Sequence, residues 1–235
     1  MSKMLISILV PIYNEIQTIE IILNKIHAAP YPPKADYEII CVDDHSKDGT
    51  REWLQKYSHK KVNVYYQDVN QGKGAAIARA IKEAHGDVMI IQDADLEYDP
   101  NEYPILLAPI IDGHADVVYG SRFLGGTGTH RVHFFWHYLG NKALTTLSNM
   151  LCNLNMTDME TCYKVFTKQA IEGIEITSKR FGIEPEITAK FSKKHLKIYE
   201  VPISYYGRDY DEGKKITWKD GVSAIYCIIK YNLFN

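Results

Sequence analysis

The chain has 235 residues, 46% hydrophobic and 24% charged, a globular composition that excludes disordered and fibrous classes and suffices for one large α/β domain. Its 27 Lys and Arg against 29 Asp and Glu give a net charge of −2, which excludes the basic footprint needed to wrap nucleic acid. Residues 178–235 hold 11 basic and 7 acidic side chains, a net +4 that leaves −6 for the rest, so an anionic partner is expected at the C-terminal end.

Ile6 to Val10 is a short apolar run, Glu15 to His27 has Ile19, Ile22, Leu23 and Ile26 at helical spacing, and Glu38 to Val42 is apolar again. This predicts β, α, β. The alternation continues with a helix over Thr50 to Tyr57, a strand over Val62 to Gln67, a helix over Lys73 to Ala84 and a strand over Val88 to Gln92. A helix over Glu102 to Asp112 and a strand over Ala115 to Gly120 follow. Continuous apolar strands alternating with helices predict a mostly parallel sheet covered on both faces, with its ligands at the carboxyl ends of the strands. Phe123 to His137, Gly-rich and then aromatic, is expected to be a mobile loop before a helix over Tyr138 to Cys152. Strands are predicted within 157–170 and over Lys197 to Tyr205, with a helix over Glu184 to Lys193 between them. Trp218, Val222, Ile225, Ile229 and Leu233 fall on one face of an amphipathic terminal helix. The simplest parse is one domain over 1–210 with a helical extension over 211–235.

Cys41, Cys152, Cys162 and Cys227 form no C-x-x-C pair, so neither a zinc knuckle nor a disulfide framework is indicated, and a reducing cytoplasm is expected. No export signal precedes the first strand, and no run approaches the roughly 18 to 20 apolar residues of a membrane span.

The chemistry collects at strand ends. The fourth strand runs into Asp93, Ala94 and Asp95, with Glu97 two residues on. Like charges about 4 Å apart repel by roughly 4 kcal/mol at an effective dielectric near 20, so a cation is expected among them. Oxygen donors without His or Cys select a hard ion, Mg²⁺ or Mn²⁺, of the kind that bridges substrate phosphates. Asp99 before Pro100 reads as a helix cap instead. After the second strand, Asp43 is suited to ribose hydroxyls or base N–H groups, with Asp44 beside it, whereas Asp48 and Gly49 read as turn chemistry. The first strand exit, Pro11 to Glu15, offers the Tyr13 ring to cover a base or to fill the core, and Glu15 to accept a base N–H. Asn70 to Gly74, with Gly72 and Lys73, opens a helix and offers backbone N–H groups to an anion or forms a close turn with Lys73 solvated; neither a Walker string nor G-x-G-x-x-G is completed. Arg122, after Gly120 and Ser121, is suited to clamp phosphate bidentately or to pair with an acid.

In order, P-I-Y-N-E at 11–15, V-D-D-x-S-x-D-G-T at 42–50, N-x-G-K-G at 70–74, D-A-D-L at 93–96 and G-S-R-F at 120–123 resemble the family 2 glycosyltransferases, closest to the dolichol-phosphate mannose synthase branch. The resemblance covers about residues 5–205. It implies a Rossmann-like GT-A fold, a UDP- or GDP-linked sugar donor, a divalent ion and inversion at the anomeric carbon. It also implies that Pro11, Tyr13, Glu15, Asp43 and Asp44 hold the nucleoside, that Asp93 and Asp95 hold the metal diphosphate, and that Arg122 serves the donor phosphates or the loop. Gly72, Lys73 and Ala94 join the donor-binding positions, and Glu97 the metal set. In that branch the acceptor is a polyprenyl phosphate; Arg131 near the aromatic run Phe134 to Trp136, Arg208 and Lys214 resemble its acceptor-side positions. Where the branch often has S-G-F-R, this chain has Thr157 to Lys164.

A phosphate acceptor is already ionised and needs no base, whereas a saccharide hydroxyl requires a carboxylate, for which Asp158 or Glu160 is the candidate. Transfer of a single sugar is expected, since membrane spans and a Q-x-x-R-W string are absent from this sequence. The terminal helix and its basic tail are expected to rest on the cytoplasmic face of a membrane, or else to cover the sheet. A nucleotidyltransferase is disfavoured because Pro11 to Glu15 stands where its Gly-rich string would be. A non-catalytic nucleotide-sugar or lipid-binding module is disfavoured by the intact Asp93 and Asp95.

Overall fold

The computed structural model describes residues 3–125, 132, 134–207 and 218–234. Within them seven strands form one sheet: β1 Met4–Ile12, β2 Ala35–Asp43, β3 Val62–Tyr66, β4 Val88–Ile91, β5 Val117–Ser121, β6 Lys164–Thr167 and β7 Ile198–Pro202. The helices are α1 Ile19–Ala28, α2 Thr50–Lys56, α3 Lys73–Glu83, α4 Tyr103–Ile111, α5 Phe135–Cys152, α6 Lys168–Ile171, α7 Ile183–Lys193 and α8 Trp218–Leu233. The strand order is β3-β2-β1-β4-β6-β5-β7. β1 lies between β2 and β4, parallel to both, and Ile6, Ile8, Leu9 and Val10 are completely buried, as a strand covered on both faces requires.

β6 is the exception to the parallel order: it runs antiparallel to β4 and β5. Val165 and Phe166 show the sequence period of a buried strand, but periodicity carries no direction. β6 is also shorter than the strand predicted within 157–170. The N–H groups of Thr157 and Asp158 go to the Glu200 carboxylate, that of Met159 to the Thr145 hydroxyl and that of Cys162 to the Tyr98 hydroxyl, so side chains replace a neighbouring strand. Thr167 then caps α6 by accepting from the Ala170 N–H at 3.1 Å.

The first helix starts four residues later than predicted. The Glu15 carbonyl accepts from Thr18 and Ile19, making a turn of 15–18, and the Thr50 hydroxyl accepts from the Glu15 N–H at 2.9 Å. α5 starts at Phe135, inside the stretch expected as a loop; 126–131 and 133 lie outside the described residues. Phe134, Phe135 and Trp136 are 63%, 65% and 76% exposed, so the aromatic run does not fill the core. α8 is amphipathic in an unexpected sense. Ala224, Cys227, Ile228 and Tyr231 are its buried face, packed against α5 and α7, while Val222, Ile225, Ile229 and Leu233 of the predicted stripe stand exposed. The stripe does not cover the sheet.

Candidate active site at the carboxyl edge of the sheet

β1, β2, β4 and β5 end on the same side, and their exit loops carry the predicted site residues. Three of these exits hold a non-glycine residue in the left-handed region: Asn14 at φ 52°, His45 at φ 64° and Leu96 at φ 66°. Such conformations cost on the order of 1–3 kcal/mol and persist where surrounding structure imposes them. At the first two exits the imposing contacts are explicit: the Asn14 N–H donates to Ser46 Oγ at 2.9 Å, the Lys47 N–H to Asn14 Oδ1 at 2.8 Å, and the Ile16 N–H to Asp48 Oδ2 at 3.1 Å. Asp48 also accepts from the Thr50 N–H and hydroxyl, the turn role expected of it. Pro11 and Tyr13 are partly buried, and Glu15 accepts from the Thr18 hydroxyl at 2.8 Å.

Asp43 is engaged by the protein itself. It has no exposed surface, and its carboxylate accepts from Arg51 Nε at 2.6 Å and from the Ser46 N–H. The group that opens toward solvent is Arg51, whose side chain is 21% exposed and which also donates to the Gln67 carbonyl at 2.6 Å. Asp43 thus fixes Arg51 at the β2 exit. Sequence reasoning missed Arg51 because nothing in the string distinguishes it from any exposed Arg in a first helical turn.

Asp44 likewise faces inward. Its two oxygens accept from the N–H groups of Gln71 and Gly72, both at 2.7 Å. Burial raises its carboxyl above the ordinary range, against the pull of those two N–H groups. The 70–74 loop does bind an anion, but the anion is Asp44, so the Gly72 N–H is not available to a phosphate. Its glycines serve packing: a Cβ at Gly72, where φ is +94°, would lie 2.4 Å from the Lys179 carbonyl oxygen, and one at Gly74 would lie 2.2 Å from that of Ser178.

Lys73 is not the solvated side chain of an open turn. Its ammonium bridges Asp93 Oδ2 at 3.0 Å and Glu184 Oε1 at 3.2 Å. Burial opposes its charge, but Asp93 foremost, and Glu184 with it, keep its pKa well above the ordinary value. Glu184, at the start of α7, is 6% exposed. It was missed because an acid in a first helical turn reads as ordinary helix chemistry, and its partner lies across the fold.

The β4 exit turn carries Asp93 and Asp95, with Ala94 buried between them in sequence, and Asp95 Oδ1 accepts from the Glu97 N–H at 3.2 Å. Two carboxylates without an adjacent imidazole are a donor set suited to a hard dication that takes its other ligands from water and phosphate. Glu97 has a protein partner of its own. Its Oε2 accepts from the Tyr205 hydroxyl at 2.8 Å, and its carbonyl from the Tyr206 N–H, tying the segment after β7 to this turn. Among the described residues, no three His, Cys, Asp or Glu side chains converge as a ready-made metal cage. Asp99 accepts from the Asn101 N–H and caps the 3-10 turn Pro100–Glu102, as expected.

At the β5 exit, Arg122 is clamped by Asp158, with Nε to Oδ2 at 2.7 Å and Nη2 to Oδ1 at 2.8 Å, and the Arg122 N–H adds a third bond. Asn141 Nδ2 donates a fourth, at 3.2 Å. Burial alone would raise the Asp158 carboxyl, but Arg122 and these hydrogen bonds hold it below its ordinary value. Asp158 therefore anchors Arg122. Glu160 is its opposite: burial first, then the Glu184 charge, pushes its carboxyl up, and its Oε1 has no hydrogen-bond partner. Lys164, 1% exposed, donates to the carbonyls of Met159 and Thr161 and fixes the loop that carries both acids. Arg131, Arg208 and Lys214 lie outside the described residues.

Residues 7–174 match the model of glycosyl transferase family 2. The chain is 32% identical over 213 residues to the dolichol-phosphate mannosyltransferase of Pyrococcus furiosus, covering 90% of this chain and 59% of that protein. It is 28% identical over 219 residues to the undecaprenyl-phosphate mannosyltransferase of Micrococcus luteus, covering 88% and 85%. The chain thus spans about three-fifths of the first relative's length. Glucosyl-3-phosphoglycerate synthase of Mycobacterium tuberculosis, solved with Mn²⁺, UDP and phosphoglyceric acid, superimposes with a TM-score of 0.74 at 18% identity, over 99% of this chain and 80% of that one. At that identity the likeness establishes the fold, a GT-A sheet. No helix among the described residues is long and apolar enough to cross a membrane.

Proposed function

The chain belongs to glycosyl transferase family 2, and from that premise we propose that it moves one sugar from a nucleotide-diphosphate sugar to a polyprenyl phosphate, with inversion at the anomeric carbon. The observation that carries this reading is the gathering of Tyr13, Arg51, Asp93, Asp95 and the Arg122–Asp158 pair at one edge of the sheet. Tyr13, Glu15 and Arg51 line the side for the nucleoside, with Asp43 behind Arg51. Asp93 and Asp95 would hold Mg²⁺ or Mn²⁺ with the diphosphate, and Ala94 would contribute only backbone there. When bound, the dication neutralises the charge that builds on the departing nucleoside diphosphate. Arg122, fixed by Asp158, supplies positive charge on the β5 side without needing to reorganise. The relatives' names support a polyprenyl phosphate acceptor. Such an acceptor arrives as an anion, and Arg131, Arg208 and Lys214 remain its proposed contacts.

The same reading includes contact with the cytoplasmic face of a membrane. The exposed Phe134, Phe135 and Trp136 of the α5 start and the outward stripe of α8 support it, together with the net +4 of residues 178–235. A second reading, transfer to a saccharide hydroxyl, is favoured by one observation, the unpartnered Glu160 Oε1 with its raised carboxyl, which would take the proton.

Calorimetry with UDP and with GDP, each with and without Mn²⁺, tests the donor side. Metal-dependent binding of one nucleotide is expected, followed by release of that nucleotide from its sugar conjugate when polyprenyl phosphate is added. If neither nucleotide binds, the reading fails. If release needs a saccharide instead of the lipid, the second reading replaces it.

A further inference from the structure

Gln92 pins both ends of the turn that carries Asp95: its Nε2 donates to the carbonyls of Asp93 at 3.0 Å and Tyr98 at 3.4 Å. The middle of the turn needs a further hold. Leu96 lies in the left-handed region at φ 66°, a conformation that a non-glycine residue keeps only where its surroundings impose it, and the Asp95 carboxylate is turned back onto the Glu97 N–H.

The segment after β7 supplies that hold. The Tyr205 hydroxyl donates to Glu97 Oε2 at 2.8 Å and the Tyr206 N–H to the Glu97 carbonyl at 2.9 Å, so the residue after Leu96 is gripped through side chain and backbone. The segment is itself fixed, because the Ile203 N–H donates to the Ser121 carbonyl at 3.0 Å and the Ser204 N–H to Glu102 Oε1 at 2.7 Å.

Tyr205 also reaches the other arm of the site. The Arg122 guanidinium lies over its ring, 5.2 Å from the centroid, within cation–π reach. Tyr98 meets the same ring edge-on at 5.4 Å, and the Tyr98 hydroxyl accepts from the Cys162 N–H. Packing accounts for a ring at this position, since Phe would fill the same space. It does not account for a hydroxyl bonded to the turn that carries Asp95.

We propose that Tyr205 is a positioning residue for the donor diphosphate: its hydroxyl holds the Asp95–Glu97 turn in the shape that receives the dication, and its ring holds Arg122 in register with that turn. The proposal rests on the transferase reading above and adds to it a residue that no motif of the sequence marks. Tyr205 acts through Glu97 and Arg122, so the hydroxyl and the ring make separable contributions.

The test is titration calorimetry with UDP and with GDP, each with and without Mn²⁺, on the wild type, Tyr205→Phe and Tyr205→Leu, together with thermal unfolding of the metal-free proteins. Tyr205→Phe keeps the ring and loses the hydroxyl. The gain in nucleotide affinity that Mn²⁺ confers is expected to fall about tenfold, the worth of one hydrogen bond to a charged group, while metal-free binding and melting temperature stay near those of the wild type. Tyr205→Leu loses the ring as well, and its metal-free binding is expected to weaken severalfold. A merely structural tyrosine would lower binding equally with and without Mn²⁺. That result in Tyr205→Phe, or an undiminished Mn²⁺ gain, would overturn the proposal and leave the transferase reading standing. Because Tyr205→Phe preserves the packing, it decides the question even where Tyr205→Leu fails to fold. Wild type that binds neither nucleotide would bring down both readings.

Discussion

Arg122 and Asp158 meet through two parallel N–H···O bonds of 2.7 and 2.8 Å, with the carboxylate fully buried and the guanidinium side chain 14% exposed. Thirty-six residues separate them in sequence, so the pair joins the β5 exit to the loop before β6. Removing one partner of such a pair strands the other charge, at about 3–5 kcal/mol. Asp158→Asn is therefore expected to destabilise the fold by an amount of that order, measured by urea unfolding. Unchanged stability would return Asp158 to the role of a free carboxylate.

The same pair sets an acid limit. The Asp158 carboxyl lies below its ordinary value in the folded chain, since Arg122 outweighs burial, and the Lys190 and backbone hydrogen bonds do the same for Glu186. A group with a lowered folded pKa stabilises above its unfolded pKa, about 4, and that contribution is lost as pH falls through the folded value. Unfolding free energy should thus fall steadily below about pH 4, with a shallower slope in Asp158→Asn. Identical slopes for the two proteins would contradict the assignment.

Asp95→Asn is expected to abolish the metal-dependent part of nucleotide binding without shifting the melting temperature. Its neighbour Asp93 is a different case, because there Asn would also weaken the bond to Lys73. Calorimetry with and without Mn²⁺ distinguishes them, and a metal-dependent signal that survives Asp95→Asn would remove Asp95 from the proposed set.

Gly74→Ala brings a methyl group to 2.2 Å from the Ser178 carbonyl oxygen, which is backbone and cannot simply turn aside. A loss of roughly 1–3 kcal/mol is expected in chemical denaturation. A change below about 0.5 kcal/mol would mean that the 178–180 segment yields freely.

The exposed aromatics of α5 carry the membrane prediction. Phe135→Ser with Trp136→Ser should reduce pelleting with anionic vesicles severalfold and leave nucleotide binding intact. Equal pelleting of variant and wild type would direct attention to α8.

Strand and helix order were legible in the chain because burial imposes its own period: Ile6 to Val10 is apolar but for Ser7, Val88 to Ile91 is apolar throughout, and Ile19, Ile22, Leu23 and Ile26 recur at one helical face. The strand-end position of Asp43, Asp93 and Arg122 followed from that order alone. What those charges touch did not follow. Arg51 pairs with Asp43, Glu184 completes the Lys73 bridge, Tyr205 donates to Glu97, and Asp158 spends its oxygens on Arg122. A local string fixes which element a residue occupies, because hydrophobic period and turn chemistry act over a few residues. The partner of a buried charge is chosen by whichever distant segment packs against it, and that choice exists only once the sheet has brought those segments together.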